Sequence, residues 1–262
     1  MPRGYPQSTV SVQYPKAKPK TRRPPGSRPP LAERLPSRRV LVVGAAAMAA
    51  LIAGILIGVS VTSGSGEKSA SGGATQAILA GIPQQGEALG RPNAPVTLVQ
   101  FGDHQCPACQ YFDVNTIPVL VRKYVRTGKL RIVFRPITFI GPDSAVGVRS
   151  TLAAGLQNRF WNLSQLLYAN QGAENSGWLN DKTVRKLAGE IPGLDVSRFE
   201  RDLDSDRVSA LERSAAQQAQ EIGLDQTPTF QIGRTNGELT ALDVSSLNPS
   251  AFEPTIDRLL AG

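Results

Sequence analysis

The sequence predicts an α/β domain that carries an inserted helical subdomain and stands behind one transmembrane helix. Three observations predict it. Short apolar, β-branched runs at 94–101, 130–134 and 229–232 are separated by helix-like stretches, the pattern of a layered α/β domain. Between the second and third runs, about 143–207 reads as a block of short helices, the mark of an insertion. Ahead of both, residues 40–61 form a long run without a single charge.

Residues 1–39 hold ten Lys or Arg and one acid, Glu33, so this leader carries +9 of a total of +8 and the remaining chain is at −1. With Pro24-Pro25 and Pro29-Pro30 and few apolar residues, it is expected to be a disordered basic cytoplasmic tail. A nucleic-acid partner needs a basic folded face, and the rest of this chain is close to neutral, so none is expected. Residues 40–61 are long enough for a helix that crosses a bilayer core of roughly 30 Å, and no polar stripe marks a buried globular helix. A cleaved signal peptide would have an apolar region of about 7–15 residues and an A-x-A-like site. Ser60-Val61-Thr62-Ser63-Gly64 offers no such site, so an uncleaved anchor is expected. Arg38 and Arg39 abut its N-terminal end, which implies a single pass through the cell membrane with the C-terminal domain extracytoplasmic. Residues 62–86, rich in Gly, Ser, Ala and Thr, read as a flexible linker, and 87–262 as the folded domain.

Within that domain Ala94–Phe101 is a buried-strand pattern, broken at Gly102-Asp103. Pro107 suits the first turn of a helix, which Phe112, Ile117, Val119, Leu120 and Tyr124 continue to about Thr127. Leu130–Phe134 is the next strand. Short helices follow near 145–156, 160–168, 181–188 and 197–203, and a longer one at 208–222 ends at Gly223. Thr229–Ile232 and Leu239-Thr240 read as small strands, and Asn248-Pro249 opens a last helix to Leu260. Phe160, Trp161, Tyr168 and Trp178 are read as core rather than as a binding groove. Asn162-Leu163-Ser164 has the form of a glycosylation sequon but sits in that aromatic stretch.

The only cysteines, Cys106 and Cys109, fall at the turn from a strand into a helix. A bond between them would close a tiny loop and staple little, so the pair is there to react or to bind. Sulfur chemistry needs a thiolate, and a free thiol with a pKa near 8.5 is mostly protonated at neutral pH. At the helix N-cap, unpaired backbone N–H groups favour an anion on Cys106, which is expected to be at least partly exposed. Cys109, one turn in, faces the same side and is placed to resolve a mixed disulfide. A zinc site needs four ligands, of which only His104, Cys106 and Cys109 are near, and haem attachment fails because residue 110 is Gln. Metal binding and an inert thiol pair stay as alternatives; no metal and no cofactor are expected. His104 either supports the thiolate or is a solvent-facing turn residue.

Taken together, Ala94-Pro95-Val96-Thr97, Phe101-Gly102-Asp103, Cys106-Pro107-Ala108-Cys109, Phe160-Trp161, Leu166-Leu167 and Gly223-Leu224 ahead of Thr227-Pro228-Thr229-Phe230 resemble the DsbA-like branch of the thioredoxin superfamily, in its membrane-anchored bacterial form. The resemblance runs from about Gly90 to Gly262. It implies a thioredoxin-like fold with the family's helical insert, Cys106 as nucleophile and Cys109 as resolver. It also implies a cis peptide at Thr227-Pro228 opposite the pair, with the Thr227 backbone binding an extended substrate; the residues alone leave a trans proline at a strand start open. The chain departs from the pattern at Gln100, where thioredoxins bury an acid, and at Ala108, where strong oxidants have His. Asp103 either substitutes for the acid or is a plain turn residue, and Ala108 implies an oxidant weaker than the strongest members.

The expected function is therefore an extracytoplasmic thiol–disulfide oxidoreductase that oxidises cysteines of exported proteins. The resemblance adds a quinone-linked membrane partner, similar to DsbB or vitamin K epoxide reductase, for re-oxidation. A reductase or isomerase of exported disulfides, or a tethered chaperone-like or metal-handling module, are the alternatives.

Overall fold

The computed structural model describes residues 76–262; the expected tail (1–39), membrane helix (40–61) and linker up to residue 75 lie outside them. Among the described residues no helix is long and apolar enough to cross a membrane. The described part of the expected linker, residues 76–86, is structured. Residues 76–79 are helical, and β1 (Gln84–Gln85) pairs antiparallel with β2 (Ala88–Leu89). Four side chains tie this stretch down. Leu79 and Ile82 are buried, Gln76 donates to the Asn162 carbonyl at 3.0 Å, and Gln84 donates to Asn162 Oδ1 at 2.8 Å while accepting from Trp161 N at 3.1 Å. A Gly- and Ala-rich average conceals such anchors.

The sheet is built around β3 (Val96–Gly102), all seven residues of which are buried. A strand covered on both faces needs a near-continuous apolar run, as this one has. It runs parallel to β4 (Leu130–Pro136) and antiparallel to β5 (Thr229–Arg234); with β6 (Thr240–Ala241) the order is β1-β2-β4-β3-β5-β6.

The helix after β3 is not regular throughout. α1 (Pro107–Tyr111) opens directly into a π-helical turn, Phe112–Thr116, then α2 (Ile117–Leu120) and a second π-helical turn, Val121–Val125. Pro118 supplies a cause for the first: it cannot donate to a carbonyl four residues back and its ring would strike it, so the turn before it widens. The insertion comprises α3 (Ser144–Gly155), α4 (Phe160–Ala169), α5 (Asp181–Gly189) and α6 (Val196–Asp202). α7 (Asp206–Glu221) returns to the sheet, and α8 (Pro249–Ala261) closes the chain. Asn180, Asp195 and Ser205 cap α5, α6 and α7 through side-chain oxygens that accept from the first turn, each such cap contributing about 1 kcal/mol.

Two aromatic groups lock these layers around the start of α1. Phe112, Phe230 of β5 and Phe252 of α8 pack as tilted and edge-to-face rings with centroids 4.8–5.1 Å apart. On the other side Phe134 of β4 meets Phe160, Trp161 and Tyr168 of α4 at 5.7–6.3 Å. Phe160, Trp161 and Tyr168 are fully buried, as core residues are. Ser164 is buried with them, which leaves the Asn162 sequon within packed structure.

Candidate active site

β3 delivers the chain to Gly102, where a Cβ would lie 2.9 Å from Phe134 and 3.2 Å from Cys109 Sγ. Only glycine lets the second cysteine pack this closely on the strand end. The turn that follows is held by Asp103, which is fully buried. Its Oδ1 accepts from Gln105 N at 2.8 Å, and Oδ2 accepts from Phe139 N and Ile140 N, each at 2.8 Å. Its main-chain carbonyl accepts from Cys106 N at 3.1 Å and from the Tyr168 hydroxyl at 3.2 Å. Asp103 is therefore neither a free acid nor a plain surface turn residue: every carboxylate oxygen is engaged in splicing the cysteine turn to the loop after β4.

Cys106 is the N-cap of α1, with φ −72° and ψ 120°, and Pro107 occupies the first turn. Its sulfur accepts from Cys109 N at 3.4 Å. It also reaches the Thr227 carbonyl at 3.4 Å, across a loop whose Thr227-Pro228 peptide is cis. The four residues Cys106, Cys109, Thr227 and Pro228 are thus brought together. The expectation of a partly exposed Cys106 is corrected: it keeps 4% of its surface, because the Thr227 loop lies over it. A groove of about 470 Å³ opens alongside, lined by Ala108, Thr227, Pro228, Phe230, Leu242 and Val244.

The two thiols are free, and their environments push them apart. The Cys106 thiol is pulled down to about 6, chiefly by the hydrogen bond from the Cys109 thiol, against the opposing effect of burial and with help from Thr227 and the N–H groups of Cys109 and Ala108. Burial, then the bond to Cys106 and its charge, push the Cys109 thiol well above the ordinary range. The pair is thereby biased toward an anion on the first sulfur and a thiol on the second.

His104 takes neither role expected of it. It is fully buried, between Phe134 and Tyr168 at 5.3 and 5.2 Å, with Nε2 against Ser164 Oγ at 3.2 Å. Burial outweighs the attraction of Asp103 and lowers its pKa to about 4, so the ring is neutral at physiological pH and brings no positive charge to the thiolate. Among the described residues no three His, Cys, Asp or Glu side chains converge as metal ligands.

Sequence reasoning missed three parts of the site. Gln171 donates from Nε2 to the carbonyls of His104 at 2.8 Å and Cys106 at 3.1 Å, holding the turn from the insertion side. Gln105 donates to Ser144 Oγ at 2.8 Å and accepts from Asn175 N at 2.7 Å. Asp113, one helical turn beyond Cys109, is buried, and burial pushes its carboxyl up to about 8. An acid flanked by Phe112 and Ile117 on the apolar face was the available signal for the last; the two glutamines left none.

Known proteins are similar in sequence and fold. A family model described as thioredoxin matches residues 84–253. The probable disulfide bond formation protein D of Bacillus anthracis is 32% identical over 164 residues, covering 62% of this chain and 74% of that protein. In fold, the crystal structure of oxidised BdbD from Bacillus subtilis superposes with a TM-score of 0.59 at 21% identity, covering 69% of this chain and 98% of that one. Wolbachia pipientis alpha-DsbA1 follows at 0.57 and 19%, covering 67% and 90%.

Proposed function

This chain belongs to the thioredoxin family as a DsbA-like thiol–disulfide oxidoreductase, and from that premise we propose that it oxidises pairs of cysteines in exported proteins through a Cys106/Cys109 cycle. The observation that carries the reading is the placement of two free sulfurs within one helical turn, the first at the helix N-cap accepting from Cys109 N, with the cis Thr227-Pro228 loop against it.

A client thiolate attacks Cys106 Sγ of the disulfide form, and Cys109 leaves. A second client thiolate then attacks the client sulfur of the mixed disulfide, and Cys106 departs as a thiolate. That departure is favoured because the reduced site already stabilises its anion with the Cys109 thiol, the Thr227 side chain and two backbone N–H groups. The groove beside Thr227 and Pro228 suits an extended client segment, which would add to the backbone as a strand and be held by Phe230, Leu242 and Val244. A thiol near 6 lies between thioredoxin, about 7, and DsbA, about 3.5, which supports an oxidant of intermediate strength.

Oxidation is favoured over reduction by location. The uncharged 40–61 run and the arginines before it support an anchor with the domain extracytoplasmic, where disulfides persist. Re-oxidation there falls to a quinone-linked membrane partner, and the anchor raises its effective concentration.

The test is oxidative refolding of a reduced client that has native disulfides. The full-length protein with its disulfide formed should restore client activity, and Cys106→Ser should abolish this. A measured reduction potential near −270 mV would instead assign a reductase. A Cys106→Ser variant that still promotes refolding would assign a chaperone-like module.

A further inference from the structure

The exchange needs a proton at an awkward place. When Cys109 leaves a disulfide it departs as a thiolate into a site that is 0% exposed, and when it resolves a mixed disulfide it must first lose a proton there. Bulk water does not reach that sulfur directly. His104 has Nε2 against Ser164 and an unpartnered Nδ1, but burial lowers its pKa to about 4 and leaves it no spare proton; Asp103 is fully engaged with backbone N–H groups, and buried Gln100 has no proton to give.

Asp113 remains. It follows Cys109 by four positions, so the two project from one face of the same helix, one turn apart, the spacing at which helical side chains are neighbours. It is 2% exposed, its Oδ1 has no hydrogen-bond partner, and among the described residues it forms no ion pair. It lies in the π-helical turn Phe112–Thr116, a local widening of the kind that recurs at functional sites. On α4, packed against this turn, the facing titratable group is Tyr168, whose phenol is raised by burial and then by Cys109, Asp113, Cys106 and Asp103. On α8, Glu253 is bound to Lys123 and Asp257 to Tyr124. Among the described residues nothing cationic neutralises Asp113, and burial raises its carboxyl to about 8.

We propose that Asp113 exchanges the proton of Cys109 during each thiol–disulfide step. In the oxidising direction a client thiolate bonds to Cys106 Sγ, the Cys106–Cys109 bond breaks, and its electron pair goes to Cys109 Sγ. The Asp113 carboxyl passes its proton to that sulfur. It is reprotonated from solvent, which has received the protons shed by the client thiols. In the reverse direction the carboxylate takes the Cys109 proton as Cys109 Sγ bonds to Cys106 Sγ and the client sulfur leaves. The assignment rests on the oxidoreductase reading of the same pair.

The test follows reduction of the full-length oxidised protein by glutathione, a small probe that needs no client groove, in stopped flow across pH 6–10. Wild type should show an inflection near pH 8, where the donor is lost. Asp113→Asn should lose it and react at least about 10-fold more slowly at pH 7. Asp113→Glu should keep an inflection, and the pH midpoint of Cys106 alkylation should be unchanged in both. Wild-type rate and profile in Asp113→Asn would overturn the proposal. If Asp113→Asn fails to fold, infrared difference spectra of the wild type and Asp113→Glu decide the matter: a protonated-carboxyl band must disappear and return as Cys109 changes state, and a static band overturns it. A protein that passes this test but oxidises no client would refute the proposed function and leave the proton assignment standing.

Discussion

Replacing Asp113 by Asn should stabilise this protein at neutral pH. In the unfolded chain the carboxyl ionises at its ordinary value of 3.8, whereas burial holds it up to about 8 in the folded one. Between those values the folded state binds the extra proton, so stability falls as pH rises through this window. One pH unit corresponds to 1.36 kcal/mol. From pH 3.8 to pH 7 the cost is therefore roughly 4 kcal/mol, and the loss levels off above the folded value. Asn has nearly the same shape and never ionises, so it escapes the whole of this. Urea unfolding of both reduced proteins at pH 4, 5, 6, 7 and 8 reads the difference directly, because the shift of Cys106 is common to both and cancels. The two should be about equal at pH 4. The variant should then gain on the wild type by about 1.4 kcal/mol per unit. A variant that is less stable at pH 7, or a gap that does not change with pH, would show that Asp113 is ionised in the fold and would remove the basis of its proton exchange.

Alkylation of the reduced protein should modify Cys106 with a midpoint near pH 6 and leave Cys109 untouched through pH 9; a midpoint between 8 and 9 would mean that the Cys109 and Thr227 bonds do not stabilise the anion. Asp103→Ala strands the N–H groups of Gln105, Phe139 and Ile140 and should cost about 3 kcal/mol or more in denaturant unfolding, with a loss under about 1 kcal/mol contradicting its splicing role. Ala108→His adds a donor beside Cys106 and should move its alkylation midpoint below 6 and make the protein more oxidising in equilibrium with glutathione; an unchanged potential would detach oxidising power from the thiolate.

Most of the fold could be read because it depends on local pattern. β3 has both faces covered and so reads as an unbroken apolar run, and Gly223, with φ 63°, ends α7 where the sequence places the stop. What could not be read depends on distant partners. β1 and the helical end before it exist because Asn162 and Trp161, far along the chain, bind Gln76 and Gln84. His104 follows a strand and precedes a cysteine, a surface-like context, and only the packing of α4 over β4 encloses it between Phe134 and Tyr168. The burial of Cys106 has the same origin: the loop that covers it lies over a hundred residues away. Asp113 was legible as an anomaly, a carboxyl on an apolar helix face, but its protonation follows from burial that no spacing rule reports.

That burial links folding to chemistry. Two sulfurs and one carboxyl lie on one helix within a turn of one another, and burial holds that carboxyl neutral while the pair is biased toward an anion on Cys106. If Asp113 were solvated and ionised, a second anion would stand about one turn from Cys109 in a weakly screened interior, where like charges at such separations oppose each other strongly. The thiolate would then be harder to form, and a Cys109 anion harder still. Keeping the carboxyl dry costs the fold several kcal/mol at pH 7 by the linkage above, yet it leaves a neutral proton reservoir beside the sulfur that must gain and lose one. Strain of this kind persists where a site needs it and the rest of the structure can support it, here through the Phe112–Phe230–Phe252 cluster and the Asp103 splice on either side. A substitution that relaxes it, such as Asp113→Asn, should therefore trade activity for stability, and the same exchange should appear in any variant that lets water reach Asp113.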